Sequence, residues 1–299
     1  MTDRLPPLPL PDLTGRTALV TGGTAGIGLE TCIGLARAGA HVVLTTRAPQ
    51  RGLDAASAVR AGLGTGSGSV DVVSLDTASF ASVDALVYSW GARPLDFLVL
   101  NAGRNGGRTR VETEDGHERT MATNALGHLR LAHGLLPALR SASGRVVTVG
   151  SLMANRAEPT ASDLCSEANW TPSRAYARSK FACLVIAQEL PSRSGVAALA
   201  AHPGWTFTKI LGHGAFMRIG TVAGGWGRFG QSPADGAQPI LAAAVGLPVA
   251  DRTGYVGPSR ALAGRPAPAP LPRALRDASI RATWWDALCD HAGVPQVWA

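Results

Sequence analysis

Lysine is nearly missing from this chain. Its 299 residues hold 28 Lys and Arg together, and only Lys180 and Lys209 are lysine. Arg and Lys are both good helix formers, so a solvated surface gives no reason to keep a lysine within residues 173–182, SRAYARSKFA. A site that needs a compact ammonium on a flexible stem does give one. Aromatic residues are also few, at 5%. The formal net charge is +7, yet the arginines are scattered, so a nucleic-acid surface with a stacking platform is not expected. Four cysteines stand far apart with no CxxC pair, which excludes a disulfide or zinc framework read from spacing and fits a reducing compartment. Cys32 and Cys183 lie in apolar helical contexts and read as packing residues. No apolar run reaches the length that spans a bilayer. The Pro-rich start, MTDRLPPLPLPDLTG, lacks the apolar core of a signal peptide. The expected location is cytoplasmic, with no membrane partner. The abundance of Ala, Gly, Arg and Pro suggests a bacterial, GC-rich coding source.

What is present is a large apolar share, 45%, beside only 16% charged residues, enough for a sizeable core. RTALVTGG, HVVLTTR, VDVVSLD, LDFLVLNAG, GRVVTVGS and VAALAAHPG read as short buried strands. Between them fall helical patterns, among them AGIGLETCIGLARAGA, GLDAASAVRAGL, ASVDALVYSWGA, a long helix RTMATNALGHLRLAHGLLPALR, and AYARSKFACLVIAQEL, ended by Pro191. Such alternation predicts an α/β fold: a single Rossmann-type doubly wound parallel sheet with helices on both faces. Residues 1–13 form a Pro-rich lead and 14–299 one domain, with a Gly-rich, aromatic-bearing lid at about 205–235. Residues 258–274 read as a Pro-rich surface excursion before a last helix containing Trp284 and Trp285.

TGGTAGIG, residues 21–28, closes the first strand and opens the first helix. Gly22 and Gly26 permit the tight turn and Gly28 close helix–strand packing, so Gly22, Thr24, Ala25, Gly26, Ile27 and Gly28 become candidates for holding a pyrophosphate at the helix N-terminus. At the end of the second strand, where an acid would grip the ribose of NAD, the chain reads Thr45, Thr46, Arg47. Without the acid a 2′-phosphate is not repelled, and Arg47 can bind it, so the expected cofactor is NADP(H) and the domain a dinucleotide-binding one. Tyr176 and Lys180 are spaced i, i+4 and share a helix face. An ordinary phenol exchanges protons poorly near neutrality, and a neighbouring ammonium favours its anion, which makes such a pair usable as acid or base.

TGGTAGIG, the NAG of residues 101–103, TNALGH, TVGS, YARSK and HPGWTFT, in this order, resemble the short-chain dehydrogenase/reductase family over about residues 14–208. TEDGHE followed by NALGH, the long Ser-to-Tyr gap, YVGP at 255–258 and the late tryptophans resemble its retinol-dehydrogenase and protochlorophyllide-reductase-like branch. The resemblance implies that Ser151 hydrogen-bonds a substrate carbonyl, that Tyr176 is the acid or base, and that Lys180 holds the cofactor ribose and tunes Tyr176. It implies that Asn124 holds a water linking Lys180 to solvent. It also places Asn101, Ala102 and Gly103 along the cofactor cleft, Asp76 with Thr77 at the adenine, and Pro203, Gly204, Thr206 and Thr208 around the nicotinamide carboxamide. Gly150 stands where the branch often has Ser, and Ala125 where a bulkier residue is common.

The expected function is therefore an NADP(H)-dependent ketoreductase or alcohol dehydrogenase for a bulky, lipophilic carbonyl or alcohol, in secondary metabolism, with a homodimer or homotetramer implied by the family. Residues 152–175 would shape the substrate entrance, and Arg104, Arg108 and Arg110 are either a solvated loop or a receptor for an acidic group. His128 and His133, at i, i+5, match no metal spacing, and no metal is expected. The rivals are a redox-neutral enzyme on the same scaffold (epimerase, dehydratase or cyclase) and a protein that senses NADP(H) without turnover.

Overall fold

A computed structural model describes residues 5–206, 230–247 and 253–298. The apolar runs form strands β1 (Thr17–Val20), β2 (His41–Thr46), β3 (Ser69–Ser74), β4 (Phe97–Leu100), β5 (Arg145–Val149), β6 (Ala197–Ala201), β7 (Tyr255–Pro258) and β8 (Pro266–Pro268). They make one sheet in the order β3-β2-β1-β4-β5-β6-β7-β8. All neighbours pair in parallel except β7 and β8, which pair antiparallel. The Pro-rich excursion thus supplies an edge strand, the place in a sheet where proline costs least because one side of the strand needs no donor.

Both faces of the sheet are covered. Helices α1 (Gly26–Arg37) and α2 (Pro49–Gly62) lie on one face, joined by Pro233–Val245, the eighth helix in chain order. Their Cys32, Leu35, Ala56, Val59 and Ile240 share a core with Ala18, Val20, Val99 and Val147. On the other face lie α3 (Phe80–Trp90), α4 (Arg119–Met121), α5 (Gly127–Gly134), α6 (Leu136–Ser141) and α7 (Pro172–Ser194), with α8 being Pro233–Val245 and α9 Ala278–Ala292. Here Val83, Leu86, Leu129, Phe181, Leu184, Trp284 and Trp285 pack on Leu19, Leu98, Leu100 and Val146. Successive strand residues alternate between the two cores, as period-2 side chains must. Trp284 and Trp285 are fully buried, and their indole N–H groups donate to the Pro159 and Gln296 carbonyls. Burying each ring contributes roughly 2–3 kcal/mol.

Two helices depart from the sequence reading. The long helix expected over 119–140 is broken: Ala122–Leu126 is a π turn between α4 and α5, and α6 restarts at Leu136, with Pro137 in its first turn, after Leu135 leaves helical geometry. Proline has no N–H to continue the ladder but suits a first turn. Conversely, α7 does not end at Pro191; it runs to Ser194 and stops at Gly195, whose φ of 71° is left-handed. Side chains carry it past the proline: Ser194 Oγ donates to the Leu190 carbonyl, and Arg193 pairs with Glu189. At its other end α7 starts earlier than expected, because Thr171 accepts from the Arg174 N–H and Pro172 follows the cap.

The order of strands reverses between β1 and β4, since β2 and β3 lie to one side and β5 onward to the other. In a doubly wound sheet this is the crevice where ligands bind. Among the described residues no helix is long and apolar enough to cross a membrane.

Candidate active site

The glycine turn lies at the β1 side of that crevice. Gly22 and Gly26 have φ of 66° and 55°, so the turn needs residues without a Cβ. Ala25 enters α1 in extended conformation, no side chain caps the helix, and no acid stands in its first turn. The helix therefore presents uncapped N–H groups and a positive dipole end, which fits a pyrophosphate. Asn101, expected along the cleft, acts on this turn directly. Its Nδ2 donates to the Thr21 and Gly22 carbonyls at 2.8 and 3.2 Å.

On the adenosine side, Arg47 is well exposed and its guanidinium lies 3.7 Å from the Asp76 carboxylate. Thr46 is buried, and its hydroxyl both donates to the Ala48 carbonyl and accepts from the Ala48 N–H. Its side chain shapes the β2–α2 turn and leaves the cleft to Arg47. Thr77 is likewise buried and donates to the Thr123 carbonyl, tying the π turn to the loop after β3. Of the arginines after the NAG segment, Arg108 is exposed and Arg110 pairs with Glu112. Arg104 stands among Arg119, Glu118, Arg47 and Asp76, and desolvation followed by Arg119 lowers its pKa. Its charge thus belongs to the cofactor side of the cleft.

At the chemical end, α7 and the end of β5 meet. Ser151 follows β5 and caps the 3₁₀ turn Leu152–Arg156, its Oγ accepting from the Met153 N–H at 3.2 Å. Tyr176 and Lys180 project from α7, with Lys180 Nζ 5.8 Å from the Tyr176 ring centroid. Lys180 is buried and donates to the Val149 carbonyl at 2.7 Å. Asn124 sits in the π turn, fully buried. Its Nδ2 donates to the Arg104 carbonyl and to Ser179 Oγ, and its Oδ1 accepts from the Arg104 N–H at 2.8 Å. A Cβ added to Gly103 would stand 3.5 Å from Asn124 Oδ1 and 3.6 Å from Lys180 Nζ, so both polar groups flank this glycine.

Sequence reasoning missed the layer beneath. Thr21 Oγ1 accepts from the N–H groups of Asn101 and Ala102, both at 2.9 Å, and meets His128 Nε2 at 2.9 Å. His128 Nδ1 lies 3.0 Å from the Asn124 carbonyl, which can only accept, so Nδ1 carries the proton and Nε2 takes the Thr21 hydroxyl hydrogen. Burial drives the His128 pKa down to about 3, and the ring is neutral in this chain of bonds. The Cys183 thiol, its pKa raised by burial, donates to the same Asn124 carbonyl at 3.1 Å. The i, i+4 spacing of Asn124 and His128 was the visible signal.

Beyond β6, Gly204 has φ of 65° and a Cβ there would stand 2.4 Å from the Leu262 carbonyl. Thr206 Oγ1 and Gln231 Nε2 both donate to the Pro203 carbonyl, which closes the segment 203–206 on itself. Gln231 had no visible signal, because it lies within the lid stretch, 28 residues on from Pro203. Thr208 and most of the expected lid lie outside the described residues. The stretch between Ser151 and Tyr176 is held by Arg178, which donates to the Thr160 carbonyl and stacks over Trp284.

Residues 16–213 match the short chain dehydrogenase family. The chain is 39% identical over 255 residues to polyprenol dehydrogenase of Mus musculus, covering 81% of this chain and 75% of that one. It is 32% identical over 294 residues to retinol dehydrogenase 11 of Homo sapiens, covering 95% and 87%. Among solved structures, an uncharacterized protein from Mycobacterium paratuberculosis superposes with a TM-score of 0.76 at 30% identity, over 97% of both chains. An NADP active-site complex of RhlG from Pseudomonas aeruginosa gives 0.63 at 27% identity, covering 82% of this chain and 95% of that one. The chain belongs to the short-chain dehydrogenase/reductase family of oxidoreductases, which use nicotinamide cofactors on small-molecule substrates, and the retinol-dehydrogenase-like branch fits it.

Proposed function

We propose that this protein is an NADP(H)-dependent ketoreductase or alcohol dehydrogenase for a bulky lipophilic carbonyl or secondary alcohol, built on one domain over 14–299 and serving secondary metabolism. The observation that carries the reading is the buried Lys180 ammonium beside Tyr176, anchored to the last residue of the strand that leads into Ser151. A bound nicotinamide supplies or accepts the hydride. Ser151 Oγ already accepts a main-chain hydrogen bond, so its own proton is free to meet a substrate oxygen and stabilise charge developing there. Tyr176 hands a proton to that oxygen in the reductive direction and takes it back in the oxidative one. Lys180 spends one N–H on Val149, which leaves donors for a ribose hydroxyl and for positive charge beside the phenol.

Asn124 is a positioning residue. Its carbonyl is taken by His128 and Cys183, so a relay water would use the lone pair of its Oδ1 that the Arg104 N–H leaves over. The exposed Arg47 fork beside the end of β2, paired only loosely with Asp76, supports the choice of NADP(H), as does the existence of an NADP complex of a related fold. The relatives named for polyprenol and retinol support an apolar alcohol or its carbonyl.

Steady-state consumption of NADPH and NADH, with bulky apolar ketones set against small polar ones, tests the reading. The expected result is NADPH-dependent turnover favouring the bulky set, falling by roughly 10²–10⁴-fold in Tyr176→Phe while cofactor binding survives. Carbonyl-independent behaviour with either cofactor, or an unaffected Tyr176→Phe, sinks it.

A further inference from the structure

Far apart in sequence, His117, Cys165 and His291 come together on the helical side of the molecule. Their ligand atoms, one from each residue, all lie within 4.8 Å of one another. Cys165 Sγ is 4.0 Å from His291 Nδ1, and the rings of His117 and His291 meet edge to face at 5.3 Å. Each comes from a different part of the fold: His117 from the loop before α4, Cys165 from the stretch between Ser151 and Tyr176, and His291 from the last turn of α9.

We propose that His117, Cys165 and His291 form a binding site for a divalent transition-metal ion, Zn²⁺ by ligand chemistry, that fastens the substrate-side stretch to the C-terminal helix. Two imidazoles and a thiolate are the donors Zn²⁺ takes in proteins, whereas Mg²⁺ and Ca²⁺ demand oxygen. Bond lengths of about 2.0–2.1 Å to nitrogen and 2.3 Å to sulfur put tetrahedral ligand atoms about 3.4–3.6 Å apart. From separations of up to 4.8 Å the three donors have to close in by roughly 1 Å to reach that geometry. Water fills the fourth position.

The surroundings suit a cation. Glu118 and Glu167 act on Cys165, and Asp115 on His117, while Arg110 is the opposing positive group. Next to Cys165, Ser166 is buried with φ of 53°, a left-handed conformation uncommon for a non-glycine residue. On binding, Sγ bonds to the metal and the thiol proton passes to water; no electrons move.

Cys165 lies in the stretch expected to shape the substrate entrance, so the bound ion acts on the shape of that entrance and leaves the Tyr176–Lys180 pair untouched. Read from spacing alone these residues gave no metal site, since 48 and 126 positions separate Cys165 from its partners.

The test uses the full-length, untagged protein, stripped with chelator and titrated with Zn²⁺ against a chromophoric competitor, and in parallel with Co²⁺ as a spectroscopic probe. The expected result is one Zn²⁺ per chain and a thiolate-to-cobalt charge-transfer band. Cys165→Ser and His291→Gln weaken Zn²⁺ by at least roughly 100-fold, because loss of an outer partner alone costs 10–100-fold. A Co²⁺ spectrum without thiolate character overturns the proposal even if the variants fail to fold. So does folded protein that binds no Zn²⁺, or binds it equally well without Cys165.

Discussion

Lys180 Nζ lies 2.7 Å from the carbonyl oxygen of Val149, the last residue of β5 and two positions before Ser151. One hydrogen bond thus joins the lysine-bearing helix to the strand that leads into Ser151. An arginine has the same charge but a planar fork on a longer stem, and cannot place one donor on Val149 while keeping others for a ribose. Lys180→Arg is expected to lose at least roughly 10²-fold in kcat and to weaken cofactor binding. Turnover and fluorescence titration measured on the same preparation check it; near-normal turnover in Lys180→Arg refutes the assigned role.

Arg47 is expected to select the phosphorylated cofactor. Its side chain is exposed and shares Asp76 as a neighbour, so its contribution is moderated by solvent and salt. Arg47→Ala is expected to weaken NADPH by about tenfold, which corresponds to about 1.4 kcal/mol, and to leave NADH nearly unchanged. The difference shrinks as ionic strength rises. Equal losses for both cofactors would contradict a 2′-phosphate contact.

Two buried histidines make stability fall in acid. Burial lowers His128 to about 3 and His202 to about 4, against about 6.5 in an unfolded chain. Below pH 6.5 the unfolded chain takes up protons that the folded one refuses, so stability is fully present above that pH and declines as pH falls toward the folded values. The slope approaches about 1.4 kcal/mol per pH unit for each group. Unfolding midpoints from pH 7.5 to 4.5 should show the decline. His128→Gln should begin less stable and show a shallower slope; an unchanged slope would exclude His128 as a source.

Tyr255 is buried, yet its hydroxyl finds no hydrogen-bond partner among the described residues. The ring packs on His202, and a Cβ on Gly150 would lie 3.3 Å from the hydroxyl. A buried hydroxyl without a partner costs about 1–3 kcal/mol. Tyr255→Phe is therefore expected to raise stability by about 1 kcal/mol in denaturant unfolding. A loss of that size would show that the hydroxyl is bonded after all.

The fold was legible because its signals are local. Alternating apolar runs and helical periods, with TGGTAGIG at the first junction, imply a doubly wound sheet through chain geometry alone. The Tyr176–Lys180 pair was legible for the same reason, since i, i+4 residues share a helix face wherever the helix packs. What failed locally was the helix over 119–140, where a π turn and Pro137 break a continuous periodicity. The proline at 191 misled in the other direction, because bonds from Ser194 and Arg193 carry α7 beyond it.

By itself, then, the sequence determined the strand and helix order, the glycine turn and the residue types at the chemical end, all properties of neighbours along the chain. Tertiary structure decided the rest, because it depends on which elements the sheet brings face to face. Only packing shows that the Thr46 and Thr77 hydroxyls are bonded to the Ala48 and Thr123 carbonyls, and that Arg104 stands by Arg47 and Asp76. Only packing links Thr21, His128 and Asn124 across the β1–β4 crevice and gathers His117, Cys165 and His291. A hydrogen bond or a ligand set is fixed by distances of a few ångströms, and spacing in sequence carries no such distance once the chain has turned back on itself.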